Sequence, residues 1–436
     1  MSRDNYRLVK DLLNSDLVLP AIKPNTISLN NNIKLYIFDN KDLEINKIEF
    51  FFHNAGSINQ DKTFTSKITN NQINEGSKNY TSKQIADAID YHGAFIDKYV
   101  DKESASLSFY FLNKYTDNMI HWIEEIIKNP IFPEKELEIL KPKLKNEFLV
   151  NQQKTDFLAR NFFYQKVFGK DNPYGIIGSL EDYDKIERND LIEFYNRYYS
   201  SNQLSIILSG AYNEKLIESI SITFGGEDWT GVNKGSNTIK PIEFIPQLPS
   251  KEIIHLKNSV QASICIGKTI ISNKHEDYFG LKVLNTVLGG YFGSRLMSNI
   301  REDKGYTYGI GSILHSFSDI GLFLIVGDVK AEFCQKAIDE IYKEIDLLST
   351  QLIDQEELNT VKNYMIGQLL RSLDGCLELG ERFRPILKYN LDYSYYQDYL
   401  KEIIEIDSEK IINLAGKYFS FDSLTEIRSG NETIII

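Results

Sequence analysis

Arg301 and Tyr308 are the two side chains of this 436-residue sequence whose types and spacing point most directly to chemistry. Gly289, Gly290 and Gly293 let the backbone turn after an apolar helix that ends near Leu288, and a short helix from Ser294 to Glu302 carries Arg301 in its last turn. Gly305 then breaks the helix, and the alternation from Tyr308 to Ile313 starts a strand. A guanidinium and a phenol on the two sides of one helix-to-strand turn can address the same small volume, where both donate hydrogen bonds to a carbonyl or an oxyanion. The structural alternative makes Arg301 a surface cation near a helix C-terminus and Tyr308 a half-buried strand aromatic.

Metal and thiol chemistry find less support. His53, His92, His121, His255, His275 and His315 are scattered, with no pair at i, i+3 or i, i+4. Cys265, Cys334 and Cys376 stand far apart without a C-x-x-C pair, and read as buried free thiols in a reducing compartment. No bound catalytic metal is expected in this chain. The net charge of -12 opposes a nucleic-acid partner and suits basic or neutral peptides. No run of 18 apolar residues is present to span a membrane, and the charged, interrupted start from Met1 to Lys10 is unlike a signal peptide. The expected location is the cytoplasm.

The elements that must position Arg301 and Tyr308 read as α+β. Ile33–Phe38 and Lys47–Phe52 are expected as paired strands, Ala94–Tyr99 and Ser104–Leu112 as a hairpin, and Ser82–Tyr91, Thr116–Ile127, Glu134–Asn151 and Arg188–Tyr199 as helices. A further helix is expected from about Asp156 to Phe168, and a buried strand over Leu204–Leu208. Tyr198–Gly210 and Tyr418–Gly430 match in register at Tyr, Ser, Leu, Ile, Ser and Gly positions, and Leu137, Leu140 and Lys141 match Leu358, Val361 and Lys362 at nearly the same offset. Two matches at nearly one offset indicate a duplicated domain. The expected division is 1–228, a linker over 229–250 rich in glycine and proline, and 251–436.

The run from Gly289 to Tyr308, G-G-x-x-x-S-R-L-x-x-x-I-R-E-x-K-G-Y-x-Y, resembles the C-terminal half of the M16 (pitrilysin or insulinase, mitochondrial-processing-peptidase-like) family of zinc peptidases. In that family an arginine and a tyrosine seven residues later reach across to substrate at a zinc ion, and Arg301 and Tyr308 match that pair. The resemblance implies two homologous domains, each a mainly antiparallel sheet covered by helices. It also implies a helix in the first half carrying H-x-x-E-H, with a more distant glutamate completing the zinc ligands. Registered on Gly76-Ser77, that motif falls on Lys67-Ile68-Thr69-Asn70-Asn71, and the last ligand falls on Glu147. Lysine and asparagine offer zinc neither imidazole nor carboxylate.

A degenerate zinc helix beside an intact arginine and tyrosine resembles the non-catalytic subunit of a two-chain member. The partner would bring H-x-x-E-H and zinc, while this chain would supply Arg301 and Tyr308 to bind peptide and support the transition state. The alternative is a catalytically inactive peptide-binding or scaffold protein of the same fold, and self-association stays open. The family also adds substrate to an exposed edge strand. Phe50–Gly56 and Gln261–Gly267 resemble those edges, with ordinary core strands as the other reading. The glycines near 305–311 lack the lysine and the preceding strand of a nucleotide loop.

Overall fold

The computed structural model describes residues 19, 22–226, 228–230 and 242–431. Its first sheet has six strands: β1 (Asn25–Ser28), β2 (Lys34–Asp39), β3 (Ile45–Phe52), β4 (Phe95–Val100), β5 (Ala105–Leu112) and β6 (Leu204–Gly210), in the order β1-β2-β6-β3-β5-β4. Composition explains the order. The apolar run of β6 is buried at every position and belongs in the middle, whereas β4 alternates exposed and half-buried residues and forms an edge. The expected hairpin of β4 and β5 is present. The expected pairing of β2 with β3 is not: β6 lies between them, parallel to β2 and antiparallel to β3. A strand far along the chain displaced the sequence neighbour because only a central place buries both of its faces.

The second sheet consists of β7 (Lys251–His255), β8 (Gln261–Ile270), β9 (Thr307–Ser316), β10 (Gly321–Lys330) and β11 (Thr425–Gly430), in the order β7-β11-β8-β10-β9. Strand for strand and direction for direction this repeats β2-β6-β3-β5-β4. The segments matched in sequence occupy equivalent places. Helix Arg188–Tyr198, a 3-10 turn and β6 in one half correspond to helix Ser408–Tyr418, a 3-10 turn and β11 in the other. The linker expected over 229–250 lies, for 231–241, outside the described residues, as does most of the lead-in before residue 22. Phe50–Gly56 and Gln261–Gly267 are corrected as edge strands: β3 and β8 each have a neighbour on both sides, and the free edges are β1 and β4 in the first sheet and β7 and β9 in the second. Their unbroken apolar runs need cover on both faces, which an edge does not give.

The halves interlock by exchanging one helix each. Helix Thr155–Phe168, which follows the long Glu134–Asn151 helix of the first half, lies on β8 and β11 of the second sheet. Ala159, Phe163 and Phe168 pack there in one cluster with Cys265, Leu322, Leu324 and Ile427. Its counterpart Cys376–Tyr389, which follows Gln355–Arg371, lies on β2 and β6 of the first sheet. Its Phe383 ring sits 4.8 Å from Tyr36 and 5.5 Å from Phe38. Gly380 permits the approach, since a Cβ there would fall 2.5 Å from Ser209 Oγ. Each such buried aromatic contributes roughly 1.5–3 kcal/mol, so neither sheet is complete without the other half.

Candidate functional site

Lys67, Asn70 and Asn71 all lie on the helix Thr65–Gln72, which starts from Phe64 at φ 74. The segment TSKITNNQ is polar, yet six of its eight residues are buried, and tertiary hydrogen bonds offset part of the cost. Ser66 Oγ donates to the Ala55 carbonyl at 2.9 Å, and Gln72 Nε2 to the Glu136 carbonyl at 3.1 Å. The Phe64 ring stacks on Tyr183 at 4.2 Å and anchors the start of the helix.

Lys67, Asn70 and Asn71 face a cavity of about 660 Å³, with Glu147 across it on the helix Glu134–Asn151. Three positions of one short helix and a fourth about eighty residues later are thus gathered at one place. Their chemistry does not fit zinc. The Asn70 amide is already used at both ends: its Nδ2 donates to the Tyr99 carbonyl at 3.2 Å and its Oδ1 accepts the Tyr199 hydroxyl at 3.0 Å. Lys67 brings an ammonium, and Glu147 is the one carboxylate among the four. Among the described residues no group of three or more His, Cys, Asp or Glu is arranged to hold a metal ion.

Other residues of this cavity gave no signal in the sequence. Lys98 on β4, Lys102 in the β4–β5 turn and Arg160 on the exchanged helix share its wall with His315 and Phe317 of the second half. No motif links them, because only the sheet edge and the helix exchange bring them together. Lys98 donates to the Asn71 carbonyl at 2.7 Å and to Asn74 Oδ1 at 2.6 Å. Burial lowers its pKa, with the Glu75 charge acting against that. Burial also brings the Lys102 ammonium down to about 8. The His315 imidazole is lowered by burial, helped by the Lys388 charge.

Arg301 and Tyr308 stand elsewhere. The expected Ser294–Glu302 helix is present as a wide, π-type helix over Met297–Asp303, a form that recurs at functional sites. Gly305, at φ +64, ends it, its N–H donating to the Arg301 carbonyl at 3.2 Å. The Arg301 guanidinium lies 4.5 Å over the Phe292 ring, and among the described residues its N–H donors make no hydrogen bond or ion pair. Tyr308, on edge strand β9, is 86% exposed, not half-buried. Neither residue lines the cavity over Lys67. Tyr308 is thus exposed and Arg301 half-buried, both away from the cavity that Lys67, Asn70 and Asn71 face.

Two family models match. One, described as insulinase (peptidase family M16), covers residues 52–174, and the other, described as peptidase M16 inactive domain, covers residues 185–365. The chain is 23% identical over 349 residues to an "Uncharacterized zinc protease YmxG" of Bacillus subtilis, covering 80% of this chain and 84% of the relative. It is 24% identical over 396 residues to a "Non-peptidase homolog YmxG" of Helicobacter pylori, covering 89% of each. Among solved structures, an M16 inactive domain from Pseudomonas fluorescens superposes with a TM-score of 0.84 at 22% identity, over 94% of this chain and 98% of that one. A protease from Helicobacter pylori superposes at 0.85 with 18% identity, over 94% and 100%.

Proposed function

The chain belongs to the M16 insulinase family of peptidases, and from that premise we propose that it is the non-catalytic subunit of a two-chain zinc endopeptidase. One observation carries the reading. Tyr308 is 86% exposed and the Arg301 guanidinium makes no hydrogen bond or ion pair among the described residues, while the helix onto which the zinc motif registers holds Lys67, Asn70 and Asn71. An exposed phenol and a guanidinium with open donors, in a chain with no metal-holding cluster among the described residues, are suited to serve a site on another chain.

In this role a partner bearing H-x-x-E-H supplies zinc and the polarised water. Arg301 orients the substrate main chain by its planar fork of N–H donors, and the Tyr308 hydroxyl donates to the carbonyl oxygen as charge develops there. The wide helix and the strand fix the backbone positions from which the two donors reach. Cleavage of quenched fluorescent peptides by this chain, by a motif-bearing partner and by their mixture tests it. The expected result is cleavage by the mixture alone, stopped by a chelator; cleavage by this chain alone overturns the assignment.

A second reading is an inactive peptide-binding or scaffold protein of the same fold. The printed name of the Helicobacter pylori relative, a non-peptidase homolog, favours it. Absence of cleavage in every combination, with peptide still bound, selects it.

A further inference from the structure

The cavity that does not fit zinc is lined by cations. Lys67, Lys98, Lys102 and Arg160 face it against Asp101 and Glu147, in a chain whose overall charge is -12. Asp101 is already satisfied: it accepts the Lys388 ammonium at 2.6 Å and the N–H groups of Glu103 and Ser104 at 2.8 and 2.7 Å. Lys98 is committed to Asn71 and Asn74. Among the described residues the side-chain nitrogens of Lys67, Lys102 and Arg160 make no hydrogen bond or ion pair, and neither does the Asn71 amide. Lys102 is also desolvated. Its ammonium has the Tyr164 ring at 6.0 Å for company, and burial alone sets its lowered pKa. Lys102 is half-buried, and a partly desolvated cation without a counter-charge is stabilised by a bound anion, as is the whole cluster with exposed Lys67 and Arg160.

The remaining walls narrow the class of anion. Phe64, Phe148 and Phe157 present apolar surface beside the cations. A volume of about 660 Å³ holds several residues of an extended chain, more than an inorganic ion fills. We propose that this cavity binds the carboxylate of a peptide C-terminus, seated between Lys67, Lys102 and Arg160, with an apolar last side chain against the phenylalanines. Asn71 supplies a further donor. The site needs neither Arg301, nor Tyr308, nor a partner chain, so it stands or falls separately from the role given to that pair.

Fluorescence anisotropy on the full chain alone, with a short labelled peptide ending in phenylalanine, tests the assignment. The free acid is expected to bind about tenfold or more tighter than the same peptide as its C-terminal amide. Lys67→Glu, at an exposed position, and Lys102→Gln are each expected to weaken the free acid about tenfold, while Lys78→Gln, exposed and outside the cavity, leaves binding unchanged. Thermal melts identify any variant that fails to fold, and Lys67→Glu then decides alone. Equal binding of acid and amide, no binding of either, or unchanged binding by Lys67→Glu overturns the proposal. A C-terminal amide with an internal glutamate that binds as tightly as the free acid assigns the carboxylate to a side chain and overturns the C-terminal assignment.

Discussion

Tyr199 and Asn70 are joined in the core of the first half, where the phenol hydroxyl donates to Asn70 Oδ1 at 3.0 Å. Tyr199 is fully buried, and burial pushes its phenol far above the usual range, so it stays a donor at any working pH. The position onto which the sequence register places the glutamate of H-x-x-E-H therefore holds a neutral amide bonded at both ends. Asn70 bridges Tyr199 to the Tyr99 carbonyl of edge strand β4.

Asn70→Asp keeps the shape but places a carboxylate oxygen against the Tyr99 carbonyl. The expected cost is about 1–3 kcal/mol at neutral pH, read from the denaturant midpoint. Acid should narrow the gap to the unsubstituted protein at the same pH, because the protonated carboxyl can donate again. An unchanged midpoint at neutral pH would contradict the bridging role.

Lys388 holds the two halves together where its ammonium meets Asp101 at 2.6 Å and Glu103 at 3.2 Å, with side chains 11%, 20% and 6% exposed. Lys388→Met strands two largely buried carboxylates, and a loss of about 3–5 kcal/mol is expected in equilibrium unfolding. Burial alone would raise the Asp101 carboxyl; the Lys388 charge, with hydrogen bonds, overcomes it and holds the group below its ordinary value. A carboxyl depressed on folding stabilises above its unfolded pKa and loses that contribution as pH falls through the folded one. Stability of the unsubstituted protein should thus decline below about pH 4, and the decline should be shallower in Lys388→Met.

Tyr308→Phe removes one hydroxyl from an exposed strand position, so the thermal midpoint should correspond to a stability change within about 0.5 kcal/mol. Arg301→Ala should be similarly mild, losing its contact with Phe292. In the reconstituted two-chain peptidase, each should lower turnover by about two to three orders of magnitude. Unchanged turnover with the fold intact would remove the pair from the reaction.

Cys265 and Cys334 are buried thiols that burial pushes up to about 12 and about 11. Burial raises Cys376 as well. Thiolate is the reactive form, so a thiol reagent at neutral pH should label the folded chain slowly and all three cysteines quickly in denaturant. Rapid labelling of Cys265 in the native protein would mean that the exchanged helix over it opens readily.

Local pattern alone determined much of this protein. The helix Glu134–Asn151 and the hairpin of β4 and β5 were legible because apolar period and turn residues are short-range signals. The matched runs ending at Gly210 and Gly430 disclosed the duplication, and the Arg301 turn disclosed the family, because glycine placement and residue spacing survive in one dimension. Tertiary structure alone decided that β6 separates β2 from β3 and that β3 and β8 are central, since strand order follows from where distant apolar faces find cover. It alone decided that helix Thr155–Phe168 covers the opposite sheet, and so that Arg160 shares a cavity with Lys67 and Lys102. Charge and desolvation act through space, and no spacing along the chain records which cations will share one pocket.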